Sequence, residues 1–197
     1  MKDTKEKIAL GAFKLFLESN YEKVTVSEIE RAIGMTRGAI FYHVKNKEDL
    51  FKLVIDRFIL NAQRLKNKVD LSNISTFEEF ITRYLQGIKN TMERMKSLDV
   101  PNLYKGYFLL ITQAGVYYPN FSKKLGAIIS EEYDIWKEII QMSVESGELR
   151  EDVDIYSVIT MFRSSFLGLS FEQSQFTGLD LSRLGSYYNY SYKLIKR

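Results

Sequence analysis

Three helix-start signals follow one another within residues 25–50, and their spacing constrains the fold more than any other feature of the sequence. Thr25 opens a capping box, and Thr36 and Asn46 are suitable N-cap residues for two further helices. Gly34 supplies the left-handed residue that ends the first of these helices. Two helices joined by a tight turn, the second one short, are typical of a helix-turn-helix that enters the major groove of DNA.

The first fifty residues carry an ordered series of motifs. It comprises the apolar stripe Ala12, Leu15 and Phe16, followed by Thr25-Val26, Ile29, Gly34, Thr36-Arg37-Gly38, Ile40-Phe41, His43-Val44 and Asn46-Lys47-Glu48. In order and spacing this series resembles the DNA-binding domain of the tetracycline-repressor (TetR) family of bacterial transcription regulators. The passage from Glu145 to Ile159 again resembles that family, and the rest of the chain resembles it mainly in layout.

Four positions depart from the pattern of the TetR family. Asn20 stands where the family keeps Gly, Glu30 where it keeps Ala, and Val44 where it prefers Phe. Phe41 replaces the preferred Tyr, so a phosphate contact resembling the family's would have to come from the neighbouring Tyr42. Glu30 brings a carboxylate near the predicted DNA-reading helix.

The predicted DNA-binding residues combine side chains that contact base edges with side chains that contact phosphates. Arg can donate two hydrogen bonds to guanine, whereas hydroxyl and ammonium groups suit phosphate oxygens. Lys47 is predicted to hold a phosphate, and Gly38 to let the backbone approach DNA. The caps among these residues would also be required for folding alone. The predicted set is Thr25, Ser27, Thr36, Arg37, Gly38, Phe41, Tyr42, His43 and Lys47.

Composition limits the class and the location of the protein. Residues 1–70 hold 14 Lys and Arg against 10 Asp and Glu, so a modest basic excess lies in the predicted DNA-binding part. The 197-residue chain has no cysteine, which fits a reducing compartment. Its start is charged and it contains no apolar run of the ~18 residues that a membrane span needs. We therefore expect a soluble cytoplasmic protein without membrane association.

The usual signatures of enzymes are missing from the sequence. His43 is the only histidine, so a multi-histidine metal site is excluded. Neither a Gly-x-Gly-x-x-Gly motif nor a Gly-Lys-Ser/Thr phosphate loop occurs. The sequence predicts neither catalysis, nor a metal, nor a cofactor.

Helical periodicity and cap residues predict an all-α fold of about nine helices. A three-helix helix-turn-helix domain is predicted for residues 1–46, and a helical regulatory and dimerisation domain for residues 47–197. One long connector helix is predicted over residues 47–69. The polar face of this helix carries Lys52, Arg57, Arg64, Lys66 and Lys68. We interpret it as a solvated surface, and the alternative is that these residues contact phosphates.

The later helices are rich in aromatic residues that could form a simple core or line a ligand site. The predicted ligand-binding set is Tyr84, Tyr107, Phe108, Gln113, Tyr117, Trp136, Phe162 and Phe166. Arg163 is the other polar candidate, and it could lie at a boundary, pair across an interface, or face a ligand.

The last two helices are apolar on more than one face, which predicts a twofold dimer through a four-helix interface, as the resemblance also implies. The predicted interface residues are Leu167, Phe171, Leu184, Tyr187 and Tyr188.

The resemblance implies a homodimeric repressor that binds a near-palindromic double-stranded DNA operator. A small apolar or aromatic effector would release it. The alternatives are an activator or ligand-independent regulator, and a small-molecule-binding or scaffold protein whose helix-turn-helix does not read DNA.

Overall fold

The computed structural model describes residues 2–197, with side chains from residue 4 onward, and nine α-helices in that range confirm the predicted all-helical class. Helix α4 is continuous from Lys47–Val54 through the π-helical segment Ile55–Leu60 to Asn61–Gln63. A 3-10 turn, Leu65–Asn67, follows it. The other helices are α1 Lys2–Glu18, α2 Val26–Ile33, α3 Arg37–Phe41, α5 Phe77–Lys96, α6 Leu103–Tyr117, α7 Phe121–Glu145, α8 Ile155–Ser174 and α9 Leu181–Ile195.

The predicted helix starts are confirmed, because each depends on a local hydrogen bond. The Thr25 hydroxyl accepts from the backbone N–H of Glu28, and the Glu28 carboxylate accepts from the N–H of Thr25, which completes the capping box. The side chain of Asn46 accepts from the N–H of Asp49 at 2.8 Å. Gly34 ends α2 with a φ of 69°, where a side chain would be strained.

The helices form two compact units. The first unit contains the chain up to Gln63 together with Met95–Leu125, and α1 packs against α2, α4 and α6 within it. Phe16 lies edge-on to Phe51 with ring centroids 5.2 Å apart. A Cβ at Gly106 would lie 2.2 Å from the carbonyl oxygen of Leu17, so glycine is required where α6 passes α1.

The second unit contains Arg64–Arg94 and Gly126–Arg197. Trp136 of α7 is fully buried at its centre, edge-on to Phe80 of α5 at 4.7 Å and tilted against Phe162 of α8 at 5.7 Å. Tyr188 of α9 also packs on Phe162, and its hydroxyl donates to the carbonyl oxygen of that residue. Aromatic contacts therefore join α5, α7, α8 and α9 in one core.

The predicted connector helix over residues 47–69 was too long, because α4 ends at Gln63. Arg64 adopts an extended conformation with a ψ of 123°, and Leu65 starts a separate turn in which the N–H groups of Lys68 and Val69 donate to the Leu65 carbonyl oxygen. Leu65 and Val69 keep the i, i+4 spacing of a helix and both are buried. Periodicity alone could not reveal the break.

Within the described range, no helix is both long and apolar enough to cross a membrane. The predicted division into a DNA-binding domain, residues 1–46, and a regulatory and dimerisation domain, residues 47–197, is functional and stays a prediction.

Candidate DNA-binding surface

Helices α2 and α3 form a helix-turn-helix that is fixed from its inner side. Ile29 and Ile33 of α2 and Ile40 of α3 are buried, which holds both helices against the first unit's core. Arg37 and Gly38 lie on the exposed side of α3, and Tyr42, at its C-terminal end, is 78% exposed. The short second helix therefore presents a side that the first unit does not cover.

Gly38 has no role in the packing of the described chain. A Cβ added at this residue would meet nothing within 4 Å. Glycine inside a helix is less stable than alanine by roughly 0.5–1 kcal/mol. The fold alone therefore gives no reason for glycine on this exposed side of α3.

The side chain of Glu30, a residue of α2, reaches the start of α3. Its carboxylate accepts a hydrogen bond from the backbone N–H of Arg37. The Arg37 guanidinium lies 5.8 Å from the ring centre of Phe41, one turn further along α3. Glu30 thus adds a second side-chain cap to that of Thr36, whose hydroxyl accepts from the N–H of Ala39 at 3.4 Å.

Lys47, at the start of α4, holds the loop between α1 and α2. Its ammonium donates to the carbonyl oxygens of Tyr21 and Val24, both at 3.0 Å, and lies 4.5 Å from the ring centre of Tyr21. These two bonds leave one ammonium N–H for another acceptor. Lys47 therefore has a structural role that the sequence did not reveal, beside its predicted phosphate contact.

The remaining predicted DNA-binding residues surround this surface. Thr25 and Ser27 are exposed at the start of α2, and hydrogen bonds from Thr25 lower the pKa of Glu28. His43 is half-buried, with its ring edge-on to Tyr42 at 5.2 Å. The structure thus gathers the predicted residues on α2, α3 and the start of α4.

Comparison with known proteins agrees with this architecture. Residues 8–54 match the family model "Bacterial regulatory proteins, tetR family". A 41-residue segment is 54% identical to the HTH-type transcriptional repressor Rv1474c of Mycobacterium tuberculosis, covering 21% of this chain and 22% of that protein. A TetR-family regulator from Agrobacterium tumefaciens has the same fold, with a TM-score of 0.69 and 14% identity over 100% of this chain and 99% of that one. Residues 8–54 belong to the TetR family.

TetR-family proteins are regulators of transcription and not enzymes. The structure of SmeT in complex with triclosan also shares the fold, with a TM-score of 0.69 and 19% identity over 99% of this chain and 92% of SmeT. The sequence matches are shorter, since they span only 22–26% of the length of the named repressors. Among the described residues, no group of His, Asp and Glu is arranged to hold a metal ion.

The predicted ligand-binding residues fall into two groups, one in each compact unit of the chain. In the second unit, Tyr84, Trp136 and Phe162 are buried, and Phe166 packs edge-on against Tyr84 at 6.0 Å. The first unit holds Tyr107, Phe108, Gln113 and Tyr117.

Three residues of the first unit's group have clear structural contacts. The Gln113 side-chain oxygen accepts from the backbone N–H of Tyr21 at 2.5 Å, and the Tyr117 ring packs on the Tyr21 ring at 4.8 Å. The hydroxyl of Tyr107 accepts from the Gln63 amide at 3.2 Å, and burial raises the pKa of Tyr107 to about 12.

The five predicted interface residues differ in solvent exposure: two are buried and three are exposed. Leu184 and Tyr188 are fully buried within the single chain, so they present no surface to a second copy. Leu167, Phe171 and Tyr187 are exposed, by 46%, 59% and 42%. Further exposed apolar side chains near them in sequence are Phe176, Tyr190 and Leu194.

Sequence reasoning missed a charged cluster in the second unit. Arg163 of α8 donates to the carboxylate of Glu132 on α7 at 3.1 Å, and both side chains are nearly buried. Lys68, which the helical pattern predicts on a solvated face, is half-buried and interacts electrostatically with this pair. The available signal was a single charged residue within an apolar stripe, namely Arg163 beside Phe162.

Proposed function

We propose that this TetR-family protein is a homodimeric transcriptional repressor that binds a near-palindromic DNA operator and leaves it when a small molecule binds. In this proposal residues 1–46 read DNA in the cytoplasm, and residues 47–197 dimerise and bind the effector. The observation that carries the proposal is the exposed side of α3, with Arg37, Gly38 and Tyr42.

Each of these three residues suits a different part of a DNA contact. The exposed guanidinium of Arg37 can donate two hydrogen bonds to guanine in the major groove. The hydroxyl of Tyr42 suits a phosphate oxygen. Gly38 removes the side chain between them, which lets the helix backbone come close to the duplex. The glycine is explained by an external surface, because no internal contact requires it.

Dimerisation is supported by the apolar residues that a single chain leaves exposed. Tyr187, Tyr190 and Leu194 recur at i, i+3 and i+7 on α9, and Leu167 and Phe171 recur at i, i+4 on α8. Apolar stripes of this kind mark surfaces that bind another protein. A second copy is the partner we propose, because two reading helices held about 34 Å apart can bind a palindrome together.

Release by an effector requires only different affinities for two conformations. If a small molecule prefers the conformer in which the two reading helices are wrongly spaced, the DNA-binding population falls accordingly. The SmeT–triclosan complex shows that a protein of this fold holds a small molecule. The matched relatives that are named repressors support repression over activation.

The DNA proposal can be tested by fluorescence anisotropy with duplexes from the region upstream of the protein's own gene. We expect Arg37→Ala to weaken binding to the preferred duplex by tenfold or more, since a bidentate base contact is worth about 1–3 kcal/mol. Tyr42→Phe should weaken binding to all duplexes alike. Lys89→Ala, which removes an exposed positive charge from α5, is the matched control. Equal affinity of wild type and Arg37→Ala for every duplex would contradict the proposal.

The dimer can be tested by sedimentation of a double variant. Replacing both Tyr187 and Leu194 by Glu should give a folded monomer with much weaker operator binding. Val116→Glu places one carboxylate at an exposed apolar residue of α6 and should leave the dimer intact. A wild type that sediments as a monomer at micromolar concentration would refute this part of the proposal.

A further inference from the structure

A nearly buried ion pair lies in the second unit, and a half-buried lysine interacts with it electrostatically. Arg163 of α8 forms a salt bridge with Glu132 of α7, with 3.1 Å between the guanidinium nitrogen and the carboxylate oxygen. The side chains are only 13% and 11% exposed, respectively. Lys68, between α4 and α5, interacts electrostatically with both. Buried charges are normally balanced, and this cluster has one cation more than it has anions.

The neighbours of the cluster add no second carboxylate. Tyr84 of α5, Tyr133 of α7 and Tyr188 of α9 are the other titratable groups that interact with it. The Arg163 guanidinium stacks on the Tyr133 ring at 4.8 Å. Burial, with Tyr188 and Glu132 nearby, raises the pKa of Tyr84, so its hydroxyl stays neutral. The excess positive charge therefore has no internal partner among the groups that face it.

Two buried N–H donors at this place have no acceptor in the described chain. One is Nε of Arg163, and the other is Nε1 of Trp136, whose residue is fully buried. Trp136 lies one helical turn after Glu132 on α7, and its ring lies 5.3 Å from that of Tyr84. Buried donors without an acceptor are rare in native proteins and call for an explanation.

The charge state of Lys68 supports the excess of positive charge at neutral pH. Burial lowers the pKa of Lys68 to about 8, with Arg163 lowering it further and Glu132 opposing the shift. At pH 7 the ammonium is therefore still mostly protonated. A bound anion would stabilise this protonated form.

We propose that this cluster binds the carboxylate of a small organic acid with an apolar or aromatic body. A carboxylate offers two oxygens with several acceptor sites, which matches the unused donors and the one missing negative charge. The rings of Tyr84, Trp136, Phe162 and Phe166 pack together beside the cluster and suit an apolar body. An inorganic phosphate or sulfate would find too few donors there to replace its hydration.

The proposed site rests on the proposed function in one respect: its role in regulation requires that the protein binds DNA. The site would belong to the effector, and the effector would be acidic instead of neutral. Binding of the acid itself is independent of any duplex, so the two proposals can fail separately.

The test is direct binding to the full-length protein, without DNA, by thermal shift and calorimetry. The probes are benzoate, phenylacetate and octanoate, each paired with its neutral amide, together with inorganic phosphate and sulfate. We expect at least one carboxylate to bind and to raise Tm, whereas the matched amide and the inorganic anions give at most a tenth of its affinity. No binding by any carboxylate, or equal binding by the amide or by phosphate, would overturn the inference.

Three variants connect binding to the cluster. Lys68→Met should weaken carboxylate binding at least tenfold, and Lys66→Met, which removes an exposed cation two residues away, should not. Glu132→Gln should tighten carboxylate binding, because it removes the competing anion; a merely structural role of Glu132 would not produce this gain. Unchanged affinity in Lys68→Met, or weaker binding in Glu132→Gln, would overturn the inference.

The pH dependence provides a further check. For the wild type, carboxylate affinity should fall by roughly threefold to tenfold between pH 7 and pH 9 as Lys68 loses its proton. The affinity of Lys68→Met should stay constant over this range. A pH-independent wild type would contradict the role of Lys68. If carboxylates bind but no duplex does, the inference stands and the proposed function fails.

Discussion

The ammonium nitrogen of Lys47 lies 3.0 Å from the carbonyl oxygen of Tyr21. This contact, with a second one to Val24, ties the start of α4 to the loop that precedes α2. The same loop is held from α6, because Gln113 accepts from the N–H of Tyr21. One short segment of the first unit thus receives side chains from two helices that are distant in sequence. The position of the helix-turn-helix therefore depends on both.

Replacing Lys47 by Met should destabilise the protein by about 1–2 kcal/mol, because two charge-assisted hydrogen bonds are lost from a partly exposed site. Chemical denaturation measures this change. Lys45→Met, at an exposed residue two positions earlier, is the control and should change stability by less than about 0.5 kcal/mol.

The predicted phosphate contact of Lys47 can be separated from its structural role. If the third N–H of the ammonium reaches a phosphate, Lys47→Met should reduce the slope of log affinity against log salt concentration by about one. A destabilised variant with an unchanged slope would show that Lys47 only supports the fold.

Gly38→Ala should separate stability from DNA binding. The added methyl group meets nothing in the chain, so the variant should be more stable by roughly 0.5–1 kcal/mol. Its affinity for DNA should fall tenfold or more, because the methyl group lies where the duplex is proposed to approach. Gly126→Ala, another helical glycine with open space around it, should gain stability and keep its affinity. Normal DNA binding by Gly38→Ala would refute the proposed close approach.

Helix starts could be predicted from the sequence because each is encoded within four residues. The structure therefore confirms the predicted Thr25–Glu28 capping box and Asn46 cap. The contact from Lys47 to Tyr21 could not be predicted, because it joins residues 26 positions apart. Nothing in the local sequence distinguishes this lysine from one that is free to bind phosphate.

The buried residues were harder to assign, since an apolar side chain at helical spacing suits a core, a ligand site and an interface equally. Leu184 and Tyr188 illustrate this, because they share α9 with the exposed Tyr187 and only the packed structure separates the two faces. Lys68 could not be recognised either, because α4 ends before it and the lysine leaves the helical face to which the pattern assigned it.

Gln113→Leu should destabilise the protein by about 1–3 kcal/mol, because the N–H of Tyr21 loses its acceptor in a partly buried place. Gln86→Leu, at an exposed residue of α5, is the matched control. Equilibrium unfolding of both variants measures the difference. Equal stability of the two variants would contradict a supporting role for Gln113.

Glu30→Gln should bind DNA more tightly while keeping its stability. The amide oxygen can still accept from the N–H of Arg37, but the negative charge beside the proposed duplex is removed. Since like-charge repulsion at an exposed site is worth about 1 kcal/mol, we expect roughly a fivefold gain in affinity at low salt. Anisotropy titrations at two salt concentrations would measure it, and a loss of affinity would contradict this account of Glu30.

Lys68 should make the unliganded protein more stable as pH rises from 7.5 to 9. Its folded pKa, about 8, lies below the ordinary value of 10.5, so the unfolded chain binds more protons in this range. The folded state therefore gains about 1 kcal/mol relative to the unfolded state over this interval. Lys68→Met lacks this contribution, and a comparison of the two unfolding free energies at both pH values isolates it. If the unfolding free energies of wild type and Lys68→Met differed by the same amount at both pH values, the Lys68 ammonium would not be desolvated.

The most direct test of the whole account is a titration of the purified protein against duplex fragments from upstream of its own gene, with the stoichiometry determined by sedimentation. The account predicts one fragment that is bound at least a thousandfold more tightly than random duplex, with two chains on a near-palindromic site, in line with typical specific binding. Binding that is equally weak to every fragment, or a single chain on the preferred one, would contradict it.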